Sequence, residues 1–451
     1  MTGVRIRREW VLGVGLALVW LVIIAAGVQF LVRQHQRLFP PPPSLPQATF
    51  PRGRILSADG AVLATSPRPG TRLYPLKTLA GQVVGYTTRA NGRYGEGLEG
   101  VEVIRELDLK AGRDVELTLD ARVQAIAEEA LAWGMARAKA RWGAVVVLAP
   151  DGRVLAAANA PFFDPQSPRG KPEEDPRLKN YAFVEPIEPG SVIKPITAAV
   201  VLEEGAASPE EAIPVPPVLR IKNQRVRDWR WHPTERWTLA DILKASSNVG
   251  ITLFARRLEP KTLHAYFEAL GFGRAELVPG FAGGTVLDPP ERWTPIRFAN
   301  LAFGQGLAIT TLHLAAAYGA LVDGVYRTPR LFADEEAEAH RVFSQQTVKT
   351  VVKMLAEGLV PTAELRGYRL AGKTGTAQIA QGGRYTDRVS AVFAGLVPAE
   401  KPIAVVAVVF YDPQVPANER FGSKLAAPVF RRVAAGLLSL FGVPPERANL
   451  R

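Results

Sequence analysis

The chain has 451 residues, of which 47% are hydrophobic and 22% are charged, and its formal net charge is +12 at pH 7. This composition supports a packed core and excludes a globally disordered chain, while the length suggests two or three domains. Cysteine is absent, which excludes disulfides and cysteine-ligated metals. Five histidines without paired spacing give no zinc motif. No nucleic-acid-binding motif accompanies the positive charge, so an anionic membrane or cell-wall surface fits it better.

A long apolar stretch occupies residues 10–32, interrupted only by Gln29. It is long enough to cross a bilayer of about 30 Å as one helix. Three arginines in residues 1–9 predict that the N-terminus is cytoplasmic. A cleaved signal peptide is the alternative, but the stretch exceeds a typical signal core and Ala25-Ala26-Gly27 lies inside it. We therefore expect a tail at 1–9, a single anchor in the cytoplasmic membrane at 10–32, and an extracytoplasmic body.

A proline-rich linker and a strand-rich region follow the apolar stretch. Residues 33–50 contain a proline cluster, which predicts an extended, semi-rigid spacer. In residues 51–138, two apolar segments flank Asp59-Gly60 and predict a hairpin. Asp120 is placed to cap an amphipathic helix that ends this region. Because no chemistry-bearing motif occurs here, we interpret residues 51–138 as a pedestal, or docking, domain.

Residues 139–451 have a different pattern. Two apolar runs flank Asp151-Gly152 and predict a hairpin. Residues 189–270 are mainly helical in pattern, three apolar runs within 370–411 predict antiparallel strands, and an amphipathic helix is expected at about 427–441. The order predicts an α+β domain in which an antiparallel sheet packs with helices and carries a helical lobe.

The first candidate for chemistry is a loop that turns into a helix. Pro189-Gly190 marks the turn, and a buried helix is predicted after Pro195. Ser191 and Lys194 are three residues apart, so their side chains share one face of the helix start. A serine hydroxyl is a weak nucleophile until a neighbour accepts its proton, and Lys194 is placed to do so. The alternative is an ordinary helix start with a surface lysine.

Two further motifs decide between these alternatives. Ser246-Ser247-Asn248 follows a helix-like segment, and Lys373-Thr374-Gly375-Thr376 begins a predicted strand. Alone, the former is typical of a helix cap and the latter of a strand start. In this order after Ser-x-x-Lys, they form the motif set of penicillin-binding proteins and serine β-lactamases. The chain resembles this superfamily, and within it the class B penicillin-binding proteins of the division-type, FtsI-like branch.

The resemblance extends over nearly the whole chain. Further similar segments are Arg52-Gly-Arg-Ile, Tyr181 to Gly190, Gly304-Gln-Gly-Leu-Ala-Ile-Thr and Ala426-Ala-Pro-Val-Phe. Where the family usually has Gly-Gly before its last helix, this chain has Gly422-Ser423-Lys424. The implied fold is a penicillin-binding, serine β-lactamase-like transpeptidase domain on a pedestal.

The resemblance implies that the protein is a peptidoglycan D,D-transpeptidase that forms an acyl-enzyme on Ser191. Lys194 would be the general base, and it must be neutral, which burial and the nearby Lys373 cation would favour. Ser246 would relay a proton. Asn248 would hold Lys194 and a substrate peptide bond.

The resemblance also assigns the substrate contacts. The backbone N–H groups of Ser191 and Thr376 would form the oxyanion hole. Lys373, Thr374 and Thr376 would bind the terminal carboxylate of the substrate. Gly375 would allow backbone and substrate to approach closely.

The implied partners are stem peptides on lipid-linked glycan strands, β-lactams as covalent inhibitors, and a SEDS-family glycosyltransferase, FtsW-like in preference to RodA-like. No cofactor, metal or nucleic acid is expected. Three alternatives stay open: a scaffold or activator of that glycan polymerase, an elongation-type transpeptidase, and a D,D-carboxypeptidase. No recognised motif places a glutamate to activate a hydrolytic water, which argues against a β-lactamase.

Three other features are interpreted as structural. The tryptophans and arginines of residues 227–237 could bind glycan, but a packed aromatic loop is the favoured interpretation. Asp387 and Arg388 are interpreted as loop charges between two strands. Gly304-Gln305-Gly306 is interpreted as a tight turn at the start of a helix.

Overall fold

A computed structural model of the chain describes residues 51–90, 93–167 and 175–446. The predicted tail, anchor and linker, which together occupy residues 1–50, lie outside the described residues. Within the described ranges, no helix combines the length and the apolar composition that a bilayer crossing requires.

The described residues form short and long strands and helices. The strands are β1 Ile55–Leu56, β2 Val62–Ala64, β3 Thr87–Ala90, β4 Arg93–Gly97, β5 Val115–Glu116, β6 Trp142–Leu148, β7 Val154–Ala160, β8 Ile213–Val215, β9 Val218–Ile221, β10 Gln224–Arg227, β11 Glu235–Trp237, β12 Val325–Arg327, β13 Ala339–Arg341, β14 Ala371–Gln381, β15 Arg384–Val397 and β16 Ala404–Tyr411. The helices are α1 Gly81–Val84, α2 Gly100–Ile104, α3 Glu106–Lys110, α4 Ala121–Ala138, α5 Tyr181–Val184, α6 Lys194–Glu203, α7 Leu239–Ala245, α8 Asn248–Ala255, α9 Pro260–Ala269, α10 Pro295–Ala302, α11 Thr311–Asp323, α12 Gln345–Glu357 and α13 Gly422–Leu440.

The central element is a five-stranded sheet of order β14-β15-β16-β6-β7, with every neighbouring pair antiparallel. The predicted hairpin across Asp151-Gly152 and the three predicted C-terminal strands are confirmed. Strands β6, β7 and most of β16 are buried on both faces, which explains their continuous apolar sequences. Strand β14, which carries the Lys-Thr-Gly-Thr motif, lies at one edge.

Helices cover both faces of this sheet. On one face, α4 and α13 share a core with the strands, through residues such as Val123, Leu131, Phe410 and Val433. On the other face, α11 packs against β6 and β16. The α+β prediction is therefore confirmed.

The predicted cap of α4 is present, because the carboxylate of Asp120 accepts hydrogen bonds from the N–H groups of Arg122 and Val123. The helix ends at Ala138, as expected. The predicted domain boundary between residues 138 and 139 stays a prediction. However, α4 packs against the sheet, which places residues 121–138 with the layers that follow the boundary.

Residues 189–270 are mainly helical, as predicted, but they also contain the strand pairs β8–β11 and β9–β10. Pro214, Pro216 and Pro217 interrupt any helix in this part of the chain. The prediction for Asp387 and Arg388 is wrong, because they lie inside β15 and not in a loop. There Arg388 pairs with Asp412 at 2.8 Å, which lets a charged residue occupy the strand.

The pedestal contains a buried ion-pair network centred on Glu102. Its carboxylate accepts hydrogen bonds from the Nε atoms of Arg52, at 2.8 Å, and Arg72, at 2.5 Å, and from the hydroxyl of Tyr74, at 3.1 Å. The side chains of Glu102 and Arg72 are fully buried. Arg52 and its neighbours, which carried part of the family resemblance, therefore have a structural role.

Removing the Glu102 carboxylate is expected to destabilise the protein strongly. In the variant Glu102→Ala, Arg72 stays buried without its counterion, and we expect a loss of about 3–5 kcal/mol in the free energy of unfolding. Chemical denaturation measures this loss. The matched control is Glu96→Ala, which removes an exposed partner of Lys110 and should cost less than about 1 kcal/mol. Equal losses in the two variants would contradict the prediction.

Candidate active site

Ser191 lies in a short 3-10 turn, Gly190–Ile193, that leads directly into α6. The sequence predicted that Ser191 lies in the first turn of α6. The structure places it in the turn that immediately precedes this helix. Gly190 has φ of +61°, in the left-handed region that favours glycine. The carbonyl of Val192 accepts a hydrogen bond from the buried hydroxyl of Tyr318, at 2.7 Å. The turn is thus fixed by its own backbone and by α11.

Lys194 is the first residue of α6 and is fully buried. Its Nζ lies 2.8 Å from the Oγ of Ser191. The same Nζ donates to the carbonyl of Ser246 at 2.7 Å and lies 3.2 Å from the Oγ of Ser246. The structure therefore brings the predicted nucleophile and base into direct contact, and it excludes the alternative of a surface lysine.

Ser246 joins the two lysines of the site. It ends α7 with φ of 58° and ψ of 39°, a left-handed conformation that non-glycine residues adopt uncommonly. In this conformation its Oγ lies 3.0 Å from the Nζ of Lys373 on β14 and 3.2 Å from that of Lys194. A single hydroxyl therefore bridges the helical lobe and the sheet.

The surroundings of Lys194 and Lys373 lower the pKa values of both side chains. Burial lowers the pKa of Lys194 well below its ordinary value, and the positive charge of Lys373 lowers it further, while the carboxylate of Asp228 opposes both effects. Burial lowers the pKa of Lys373 to about 8. At neutral pH this arrangement favours a neutral Lys194 beside a charged Lys373.

The role expected for Asn248 towards Lys194 is not seen in this structure. Among the described residues, the Nζ of Lys194 has its hydrogen-bond partners on Ser191 and Ser246. The amide of Asn248 donates instead to the carbonyl of Arg227 at 3.1 Å. Asn248 is the first residue of α8, whereas the carbonyl of Ser246 points at the Nζ of Lys194. The position next to Lys194 is therefore occupied by Ser246 and not by Asn248. Asn248 does line the cleft, where a substrate can reach it.

Thr374, Gly375 and Thr376 continue β14 along the cleft. A Cβ at Gly375 would lie 2.7 Å from the carbonyl oxygen of Pro189, so glycine lets the strand pack against the nucleophile turn. The Oγ1 of Thr376 accepts a hydrogen bond from the N–H of Gly422 at 3.1 Å. A Cβ at Gly422 would collide with the carbonyl of Gly375. Although Ser423 replaces the second glycine of the family's usual Gly-Gly, the chain keeps Gly422, which is the glycine that this contact needs.

These residues surround one cleft of about 530 Å³. Seven of the eight predicted site residues line it: Ser191, Ser246, Asn248, Lys373, Thr374, Gly375 and Thr376. Lys194 is buried beside the cleft, in contact with Ser191 and Ser246. Within the part of the chain that the structure describes, no group of three metal-ligating side chains occurs.

Several residues that shape the site were not assigned to it from the sequence. Gly304 does not start a helix; its carbonyl accepts a hydrogen bond from the N–H of Gly190 at 2.9 Å and so supports the nucleophile turn. Gln305 lines the cleft. Asp228 contacts Ser247 of the Ser-Ser-Asn motif, although it lies 18 positions before Ser246 in sequence. Its position just after a strand gave no signal of this contact.

The favoured interpretation of the tryptophan cluster is also wrong. Trp229 and Trp231 are 72% and 78% exposed, so they do not form a packed aromatic loop. Only Trp237 packs closely, with its ring 4.4 Å from that of His232. Trp229 lines the cleft and lies 6.3 Å, ring to ring, from Phe421.

Comparisons with known proteins show which family the chain is similar to. The family described as penicillin binding protein transpeptidase domain matches residues 143–435. The probable peptidoglycan D,D-transpeptidase PenA of Neisseria meningitidis serogroup A is 32% identical over 413 residues, covering 83% of this chain and 70% of the relative. The peptidoglycan D,D-transpeptidase FtsI of Escherichia coli K12 is 32% identical over 356 residues, covering 77% of this chain and 59% of the relative. Penicillin binding protein 3 of Mycobacterium tuberculosis, crystallised with aztreonam, is 30% identical with a TM-score of 0.81, covering 88% of this chain and 98% of that one.

Proposed function

Since the chain belongs to the penicillin-binding protein transpeptidase family, as a class B, FtsI-like peptidoglycan D,D-transpeptidase, we propose that Ser191 is its nucleophile and Lys194 its general base. One observation carries this assignment: the Nζ of a fully buried lysine lies 2.8 Å from the Oγ of Ser191. A neutral amine at that distance can accept the hydroxyl proton as the oxygen attacks.

In the acylation step, the Oγ of Ser191 bonds to the carbonyl carbon of the penultimate D-Ala, and its proton passes to the Nζ of Lys194. The peptide C–N bond then breaks. The departing D-Ala nitrogen takes a proton from Lys194, directly or through the hydroxyl of Ser246, which lies 3.2 Å from that Nζ. Lys194 is again neutral at the end of this step.

In the second step, an amine of a neighbouring stem peptide attacks the Ser191 ester. The C–O bond breaks, Lys194 accepts the amine proton, and the oxygen of Ser191 regains a proton from it. Water as the acceptor would give a D,D-carboxypeptidase instead. We propose that the backbone N–H groups of Ser191 and Thr376 form the oxyanion hole in both steps. Donors that are fixed in place by the backbone stabilise the negative charge that develops on the carbonyl oxygen.

We assign the terminal carboxylate of the donor peptide to Lys373, Thr374 and Thr376. All three line the cleft on β14, and Lys373 supplies a buried cation. Because β14 is an edge strand, the substrate backbone can lie along it as an added strand. Asn248, across the cleft, is placed to hold the substrate peptide bond.

The pH dependence of acylation follows from the two lysines. Lys194 acts when neutral, so activity falls as the pH drops through its lowered pKa. Lys373 binds the carboxylate when charged, and its pKa is lowered to about 8, so activity falls as the pH rises through about 8. We expect a bell-shaped profile of the second-order acylation rate constant. In Lys373→Arg, whose guanidinium stays charged, the basic limb should disappear; a basic limb that persists near pH 8 would assign it to another group.

The acyl-enzyme itself tests the proposed reaction. A labelled penicillin should form a covalent adduct that peptide mapping by mass spectrometry locates on Ser191. The adduct should then persist for many minutes, because no glutamate is placed by a recognised motif to activate water. Release within seconds would indicate a hydrolase and would contradict the transpeptidase assignment.

We also propose that the protein is anchored in the cytoplasmic membrane by residues 10–32 and acts in septal wall synthesis beside a SEDS-family polymerase. The apolar stretch supports the anchor. A shallow groove between the pedestal and residues Pro279 and Glu335 supports a partner, since its pedestal side exposes Val103 and Leu107, which are 41% and 82% exposed. The name of the E. coli relative supports the division-type role over the elongation-type one.

This groove also favours the second candidate function, that of a polymerase activator. The two functions are separated by complementation of a strain depleted of the protein. Failure of Ser191→Ala with success of Leu107→Asp would favour catalysis as the essential role. The reverse result would favour activation of the partner.

A further inference from the structure

An exposed arm projects beside the catalytic cleft. The arm comprises residues 218–237, which contain strands β9, β10 and β11. Its exposed cations are Arg220, Lys222, Arg225, Arg227, Arg230 and Arg236. None of the six forms an ion pair with any residue in the described ranges. The only acidic residues of the arm are Asp228 and Glu235, so its surface is strongly positive.

The arm also exposes two indole rings. Trp229 and Trp231 are more than 70% exposed, and neither makes a hydrogen bond within the part of the chain that the structure describes. Large exposed aromatic side chains next to a functional cleft commonly mark a binding surface. Trp229 is continuous with the cleft, because it lines the same cavity as Ser191. A ligand bound at Ser191 can therefore extend onto the arm.

We propose, resting on the function proposed above, that the arm is an accessory binding site for the glycan strand that carries the stem peptides. The exposed indole of Trp231 offers an apolar face against which sugar rings can stack. The unpaired arginines offer bidentate donors for the carboxylates of the same polymer. The arm thus adds affinity for the polymer outside the cleft, where the reacting peptide bond is held.

The test compares a substrate that reaches only the cleft with one that reaches the arm. The variants are Trp231→Ala and the double variant Arg225→Ser/Arg230→Ser. Acylation by a soluble labelled penicillin should stay within about two-fold of the wild type, because these are surface positions. Binding of the detergent-solubilised full chain to isolated peptidoglycan sacculi should weaken by about ten-fold or more, since exposed Trp and Arg dominate such contacts. The control is Arg431→Ser, an exposed cation on α13.

Two results would overturn this proposal. One is binding to sacculi that equals that of the control. The other is unchanged binding to sacculi with lost binding to vesicles of anionic phospholipid, which would assign the arm to the membrane surface.

A second, independent observation concerns Asp228, at the base of the arm. Its side chain is nearly buried, and its carboxylate contacts the Ser-Ser-Asn motif, the start of α8 and the arm. One oxygen accepts from the hydroxyl of Ser247 at 2.6 Å and lies 2.9 Å from the Nε2 of His232. The other accepts from the N–H of Val249 at 3.0 Å. The carboxylate therefore binds both sides of Asn248, next to the strained Ser246.

We infer that Asp228 is a positioning residue that holds the turn from Ser246 to Asn248 against the two lysines. It touches no reacting atom. Its bonds fix Ser247 and the start of α8, and through them the carbonyl and hydroxyl of Ser246 that contact Lys194. The charge of Asp228 acts on the same lysine: it raises the pKa of Lys194, against burial and the charge of Lys373 from β14.

The pH profile of acylation tests this inference. In Asp228→Asn the shape is kept but the charge is lost, so Lys194 should lose its proton at a lower pH and the acidic limb should move to lower pH. The maximal rate should also fall, by about ten-fold for a mispositioned turn. The control Ser247→Ala removes the hydroxyl's bond to Asp228 and its bond from the N–H of Gly250 but keeps the charge of Asp228, and it should lower the rate without moving the limb. An acidic limb that stays in place in Asp228→Asn would overturn the inference.

Discussion

Ser191→Ala should form no covalent adduct with any β-lactam and should lose transpeptidation by at least about 1,000-fold, because the acyl group has no oxygen to bond to. Both labelled-penicillin gels and intact-protein mass spectrometry measure the first effect. The substitution removes one hydroxyl from a half-buried side chain, so the unfolding temperature should change little. A folded but inert protein is the expected result.

The matched control is Ser423→Ala. Ser423 lines the same cleft, but in the described residues no lysine contacts its hydroxyl. This variant should be acylated at close to the wild-type rate. An adduct that survives in Ser191→Ala, or that is lost equally in Ser423→Ala, would place the nucleophile elsewhere in the cleft.

Lys194→Met is expected to have the next largest effect. Methionine fills the buried space but cannot accept the proton of Ser191, and losing a general base typically costs about 100- to 10,000-fold in rate. Lys194→Arg should be no better, since a guanidinium stays protonated and cannot act as a base. Stopped-flow measurement of acylation gives both rates directly.

Two comparisons make this prediction specific. Lys424 also lines the cleft but is exposed, so Lys424→Met should have a small effect. For Lys194→Met, the rate should also lose its acidic limb, because the group that titrates there is gone. If Lys194→Arg kept most of the wild-type rate, Lys194 would serve as a cation and the proton would go to another group.

Much of the sheet could be predicted from the sequence because its strands are local and unambiguous. The runs from Ala404 to Tyr411 and from Trp142 to Leu148 are continuous and apolar, which a sheet covered on both faces requires. Asp120 predicted the start of α4, because a side-chain cap is a local interaction that the sequence shows directly. The strands of the arm were not predicted because they are short, polar and exposed, so no apolar periodicity marks them.

In the site, too, contacts between residues close in sequence could be predicted, whereas contacts between distant residues could not. Ser191 and Lys194 lie one turn apart, and the spacing in sequence already implied their contact, which is 2.8 Å. The contact of Lys373 with Ser246, at 3.0 Å, joins residues 127 positions apart. Only the motif order, known from the family, suggested it.

The sequence by itself therefore determined the family, the motif residues and the central sheet, because each depends on neighbours in the chain or on a recognised order of motifs. The tertiary structure decided which atoms meet. It placed the carbonyl of Ser246, not Asn248, on Lys194, it exposed Trp229 and Trp231, and it brought Asp228 to the motif. These contacts depend on backbone direction and burial at positions far apart in sequence. The low pKa of Lys194 depends on them too, since only the packed protein removes its amine from water and places a second lysine beside it.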